Sequence, residues 1–302
     1  MHAPLPLAGR TALVTGVSRR RGIGYAVATK LAELGASIVV HHFRPHDLDQ
    51  PWGGDDLDAV RAGIRSSLTP GAAMDDLNAD LADPAEPARV IEAARGLTGD
   101  LDLLVCNHAR SGGDGGILDM TPERLDAFWD VNTRSTLLLT AAFARAKRPA
   151  ARAGARSERR ADASTAALRP GERIHRDAPF TEPQGRVIWM TSGQVHGPMR
   201  GEVAYATSKA ALAGVTATVA AELLDLGILL TTIDPGPVNT GYLDPETADR
   251  PLEGLEAHLA TTPFGRVGRP TDVAELIGWL ATPSGAWNTG QVITSDGGFS
   301  LR

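Results

Sequence analysis

The opening of the chain constrains its fold most. Arg10 to Thr15 is a short apolar run that leads into a glycine-rich turn, TGVSRRRGIG. A helix is expected from about Gly22 to Leu34, closed by Gly35 as a C-cap. A second apolar run, ASIVVHHF, follows directly. Strand, glycine turn, helix and strand in this order make a βαβ unit, which implies a parallel sheet. Gly16, Gly22 and Gly24 carry no side chain to hold a ligand away from the backbone. The helix N-terminus directs free amides and a partial positive charge at the same turn. That combination suits a pyrophosphate.

The remaining pattern continues the alternation. Strands are expected in AAMDDLNADL, at Asp102 to Asn107, at Gly185 to Thr191, in GILLTTIDPG and in QVITSDGG. Helices are expected at about Asp55 to Ser67, Pro84 to Leu97, Thr121 to Lys147 and Val203 to Leu226. Thr121-Pro122-Glu123 is a strong helix start, with an N-cap, a proline at the first position and an acid in the first turn. His41 to Gly54 and Ser111 to Gly116 are expected loops. The chain's 302 residues suffice for one large α/β domain.

Charge and cysteine content narrow the setting. The single cysteine, Cys106, excludes an internal disulfide. The N-terminus lacks a basic region followed by a long apolar run, and no apolar stretch is long enough for a bilayer. A cytoplasmic chain with no membrane contact is expected. The net charge of −6 hides an asymmetry: Arg145 to Arg176 holds ten Arg or Lys against three Asp or Glu. Arg148 to Pro183 is rich in Ala, Arg and Pro and poor in large apolar residues, so it cannot bury a core. It is read as a basic, partly mobile insertion at about 148–183. A solvated loop is favoured there over a polyanion-binding patch, and nucleic acid is not expected as a partner.

Chemistry is concentrated between Ser192 and Lys209. Tyr205 and Lys209 lie four apart, on one face of the expected helix. An ammonium beside a phenol favours the phenolate and lowers its pKa from about 10. A tyrosine so placed works as a general acid or base near neutral pH. The Ser192 hydroxyl, thirteen residues before the tyrosine, can hold a substrate oxygen while the proton moves.

Serine followed by Tyr-x-x-x-Lys at this spacing resembles the short-chain dehydrogenase/reductase family, with members such as 3-oxoacyl-carrier-protein reductases. Other motifs agree in order. Asp80-Leu81 resembles the family's Asp-Val/Leu pair, whose acid meets the adenine amino group. Asn107 and Ala109 match its Asn-Asn-Ala-Gly, with His108 and Arg110 replacing the second and fourth residues. Asn132 matches its fourth catalytic residue, whose carbonyl holds a water in a proton relay. Pro235, Gly236, Val238 and Thr240 match Pro-Gly-x-Val-x-Thr, which meets the nicotinamide. The glycine turn departs from the family spacing: five residues, not three, separate Gly16 from Gly22.

The resemblance implies a Rossmann-type, doubly wound α/β fold of about seven parallel strands in a single domain. It implies Ser192, Tyr205, Lys209 and Asn132 as catalytic residues. Ser18 and Ile23 join the three glycines at the cofactor, and Tyr205 and Lys209 also touch it. NADPH is expected rather than NAD, because His42 stands where NAD-binding members carry an acid. Arg21 and Arg44, with His42, are then the candidates for the 2′-phosphate. No metal is expected. The implied reaction is reduction of a small-molecule carbonyl to an alcohol, with Tyr205 as proton donor, in a homodimer or homotetramer. The segment from Gly241 to Thr262 is the expected lid. The alternative is a dinucleotide-binding sensor or scaffold that has lost catalysis, and the intact catalytic set argues against it.

Overall fold

The computed structural model describes residues 5–147, 179–180, 182–249 and 252–301. Seven parallel strands form one sheet in the order β3-β2-β1-β4-β5-β6-β7. They are β1 (Thr11–Thr15), β2 (Ser37–His42), β3 (Met74–Asn78), β4 (Leu103–Cys106), β5 (Gly185–Met190), β6 (Ile228–Asp234) and β7 (Val292–Thr294). β1, β2, β4 and β6 are buried along their whole length. That burial explains why they read as unbroken apolar runs: a parallel sheet is covered on both faces. The edge strands β3 and β7 are more exposed.

The pleat divides the core into two layers. Val14 and Val40 face α1 (Ile23–Glu33), which contributes Val27 and Leu31, and Ile188 and Ile277 belong to the same layer. Leu13, Val39, Leu104 and Trp189 point the other way, against Val90, Leu139 and Leu212. Adjacent residues of one strand thus serve opposite layers. The order reverses between β1 and β4, and a crevice opens beyond the carboxyl ends of strands at such a switch point.

Two expectations change. The helix expected over Thr121 to Lys147 is α5 (Pro122–Phe128), a π-helical turn (Trp129–Arg134) and α6 (Ser135–Lys147). The turn coincides with Asn132, whose side chain is tied to the Arg110 backbone. The loop expected over His41 to Gly54 instead begins with the end of β2 and contains a short helix, α2 (Arg44–Leu48). The other helices are α3 (Leu57–Ser66), α4 (Glu86–Gly96), α7 (Val203–Asp225), α8 (Leu255–Leu259) and α9 (Pro270–Ala281). Most of the basic insertion expected at 148–183 lies outside the described residues. No helix among the described residues is long and apolar enough to cross a membrane.

Candidate active site

The glycine turn packs directly on the end of β4. Gly16 has φ +74°, and a Cβ there would stand 2.7 Å from the His108 Cα. A Cβ on Gly24 would stand 2.6 Å from the Gly16 carbonyl oxygen, so Gly24 is buried beneath the turn. Asn107 Nδ2 donates to the carbonyls of Thr15 (3.0 Å) and Gly16 (3.2 Å). Asn107 therefore fixes the turn, and Gly22 caps α1 with extended backbone above it.

Two buried histidines brace this corner. His41 Nε2 donates to the Ala79 carbonyl (2.9 Å), so its Nδ1 accepts from Gly16 N–H (3.3 Å). Burial lowers the His41 pKa to about 4, which keeps it neutral at working pH. His108 meets Thr15 Oγ1 through Nδ1 (2.7 Å) and Ser135 Oγ through Nε2 (2.6 Å). Burial holds its pKa well below the usual histidine value. His108 is thus a neutral strut between β1, β4 and α6, and this explains how it replaces an asparagine.

A cleft of about 760 Å³ opens at the carboxyl ends of the strands. Gly16, Ser18, Gly22 and Ile23 line it from the glycine turn. Asp80, Leu81, Asn107 and Ala109 line it from the ends of β3 and β4. Ser192, Tyr205 and Lys209 form another wall, and Pro235, Gly236, Val238 and Thr240 close it after β6.

Arg21, His42 and Arg44 are not on that wall. Arg21 turns to Asp244 (2.6 Å), and its side chain is largely exposed. His42 faces away, toward Asp76 Oδ2 (3.0 Å), because the β2 pleat gives the inward position to its neighbour His41. Arg44 starts α2 and also stays outside. The corner is occupied instead by Arg19 and Asp47. α2 folds Asp47 back into the cleft wall, where it accepts from Ser18 Oγ and from Arg19 Nε (3.1 Å). Arg19 Nη1 also donates to the Thr240 carbonyl (2.8 Å), and its guanidinium lies 5.5 Å from the Trp52 ring centroid. An acid thus reaches the cleft wall beside the glycine turn, paired with a cation.

The catalytic candidates meet on α7. Lys209 is 3% exposed, and its Nζ donates to the Met190 carbonyl (3.0 Å). The same Nζ lies 5.8 Å from the Tyr205 ring centroid. Burial lowers the Lys209 pKa to about 8. Thr191 Oγ1 donates to the Lys209 carbonyl (2.9 Å), which locks the end of β5, and so Ser192, to the helix. Phe128 packs edge-on against Tyr205, with centroids 6.5 Å apart. Burial raises the pKa of the Cys106 thiol beneath, so it is no nucleophile.

Asn132 is fully buried behind this wall. Its Oδ1 accepts from Arg110 N (2.7 Å), and its Nδ2 donates to the Arg110 carbonyl (3.1 Å) and Ser208 Oγ (2.9 Å). Its own carbonyl accepts from Thr136 Oγ1 (2.8 Å). The π-helical turn around it breaks the regular helical ladder, a local feature frequent at functional sites.

Comparison with known proteins places this geometry. A family model described as Enoyl-(Acyl carrier protein) reductase matches residues 16–156 and 172–300. A short-chain dehydrogenase/reductase from Serratia marcescens superposes with a TM-score of 0.72 at 27% identity, over 98% of this chain and 99% of that one. This chain is a short-chain dehydrogenase/reductase. As a member of that family it is an NAD(P)-dependent oxidoreductase. A short-chain dehydrogenase from Burkholderia cenocepacia, solved in complex with NADP, has a TM-score of 0.72 at 27% identity, over 97% of this chain and 99% of that one. A chloroplastic NADPH-dependent aldehyde reductase-like protein from Arabidopsis thaliana is 33% identical over 306 residues, 98% of this chain and 96% of the relative. An uncharacterized oxidoreductase from Bacillus subtilis, YjdA, is 30% identical over 292 residues, 96% of each.

Proposed function

We propose that this protein uses NADPH to reduce a small-molecule aldehyde or ketone to the alcohol, with Tyr205 giving the proton. The observation that carries the reading is the wall shared by Ser192, Tyr205 and buried Lys209, 5.8 Å from the tyrosine ring, in the cleft that the glycine turn also lines. The residues fit a nicotinamide dinucleotide. Gly16 and Gly22 leave the backbone bare at the N-terminus of α1, where a pyrophosphate is favoured. Asp80 and Leu81 stand at the adenine end, and Pro235, Gly236, Val238 and Thr240 at the nicotinamide end. When bound, that group supplies the hydride.

The chain's own residues supply the rest. Ser192 and Tyr205 hydroxyls would bind the carbonyl oxygen and stabilise the charge that grows on it. Lys209, charged below pH 8, would favour loss of the tyrosine proton and hold ribose hydroxyls. Asn132 would act from behind, by holding the turn that carries Arg110. The reading includes a homodimer or homotetramer, which would cover the exposed Leu125 and Trp129 near the start of the π-helical turn.

Arg19, not Arg21 or Arg44, is the cation we assign to the 2′-phosphate. Its pairing with Asp47 leaves that corner without net negative charge. Arg19→Ala is expected to weaken NADPH binding about tenfold or more and NADH binding much less, read by fluorescence titration of both. Equal losses for the two would remove the assignment. The function itself is tested by a panel of aldehydes, ketones and 3-oxoacyl thioesters, followed by NADPH absorbance with NADH alongside. An enoyl thioester belongs in the panel because the matching family model bears that name. Consumption by a carbonyl member, faster with NADPH, is expected. Consumption by the enoyl thioester alone would replace the proposed substrate class.

A further inference from the structure

We infer that Asp114 is a positioning residue: it caps the catalytic helix from the loop 111–116 and fixes the Tyr205 backbone to that loop. The inference rests on the catalytic reading of Tyr205, but its structural half stands independently. The Glu202 side chain, at the N-cap position of α7, makes no capping hydrogen bond. The first amides of a helix need outside acceptors. Here one distant segment provides three. Val203 N–H donates to the Gly115 carbonyl (3.2 Å). Ala204 N–H donates to Asp114 Oδ1 (3.2 Å), and Tyr205 N–H donates to Asp114 Oδ2 (2.7 Å). A carboxylate at this end also meets the positive pole of the helix.

The carbonyl of the same residue is tied back to the same segment. The Tyr205 carbonyl accepts from Ser208 Oγ (2.7 Å), and Ser208 Oγ accepts from Asn132 Nδ2 (2.9 Å). Asn132 in turn brackets the backbone of Arg110, with Oδ1 on its N–H and Nδ2 on its carbonyl. The segment 110–115 therefore grips Tyr205 twice, directly through Asp114 and indirectly through Asn132. The cap is a built feature. Asp114 Oδ1 also accepts from Gly115 N (2.7 Å), and a Cβ on Gly115 would stand 2.6 Å from the Asp119 Cβ. Asp119 then ties Gly116 N (2.8 Å). Arg110 and Ser111 line the cleft, so a substrate that shifts this loop shifts the tyrosine with it.

The test compares Asp114→Ala and Asp114→Asn in the full chain. Amide hydrogen exchange over residues 203–206 is measured together with NADPH affinity and with kcat and KM on a carbonyl from the panel. Asp114→Ala is expected to speed exchange at those amides about tenfold and to leave the sheet protected. Its kcat is expected to fall about tenfold or more, with NADPH affinity kept. Asp114→Asn keeps one acceptor oxygen for one of the two helix amides and is expected to restore part of both. Wild-type exchange at 203–206 in Asp114→Ala would overturn the cap. So would loss of protection throughout the sheet, or an Asn variant no better than the Ala variant. Exchange restored by Asn with kcat unchanged in both variants would overturn the link to Tyr205. A panel with no substrate would defeat the proposed function, while the exchange measurement would still decide the cap.

Discussion

Tyr205→Phe is expected to lower turnover by about 10²- to 10⁴-fold, the share a positioned proton donor contributes. NADPH affinity is expected to stay within about twofold, well under the tenfold that 1.4 kcal/mol would produce. The change removes one oxygen and keeps the ring that packs edge-on against Phe128. The Asp114 carboxylate holds the backbone N–H of this residue, so the cap survives too. Lys209 remains on the Met190 carbonyl, and the buried wall keeps its shape. A loss of turnover with binding retained would therefore report the missing proton. It is checked by steady-state NADPH oxidation beside a fluorescence titration of the same preparation. Parallel losses of both would mean that the tyrosine serves cofactor binding alone.

Lys209→Met is expected to fail differently. It removes the charge beside Tyr205 and the group assigned to the ribose, so turnover and NADPH affinity should fall together. It should also change how stability depends on pH. Burial lowers the Lys209 pKa from 10.5 to about 8 in the folded protein. Below about pH 8 the lysine is protonated in both states, and folding carries the full cost of the buried charge. Between about 8 and 10.5 the unfolded chain binds the extra proton, so stability rises with pH. The wild type is then expected to gain up to about 3 kcal/mol over Lys209→Met across that window. Urea unfolding of both proteins without NADPH, at pH 7.5 and at pH 9.5 (roughly the ends of the accessible window), reads the difference. An unchanged gap would show that the lysine is not held in the buried, depressed state.

The sequence made the sheet legible because a parallel strand buried on both faces must be apolar throughout, as in ALVT and SIVV. The same property concealed the pleat. In a run without alternation nothing distinguishes His41 from His42, and the inward one proved to be His41. Arg19 and Asp47 were obscured for another reason. Their meeting depends on α2 folding the chain back, inside a stretch whose Pro, Gly and Asp content reads as loop. The Tyr205 and Lys209 pair was legible because four-residue spacing has one consequence on a helix: both side chains share a face. Asn132 was legible only through family resemblance, and its position was visible while its π-helical turn was not. Asp114 left no local signal, since the helix it caps begins some ninety positions later. Such a contact is created by the sheet order, which a reading of adjacent residues does not reach.

The most direct measurement follows the hydride itself. NADPH deuterated at the transferring carbon is incubated with the wild-type protein and a carbonyl that it consumes, and the alcohol is analysed by mass spectrometry and NMR. One deuterium on the new carbinol carbon for each NADPH oxidised, with the hydroxyl proton exchanging from water, is the expected result. Oxidation of NADPH with no deuterium in an alcohol, or no oxidation with any carbonyl while NADPH binds tightly, would contradict the account.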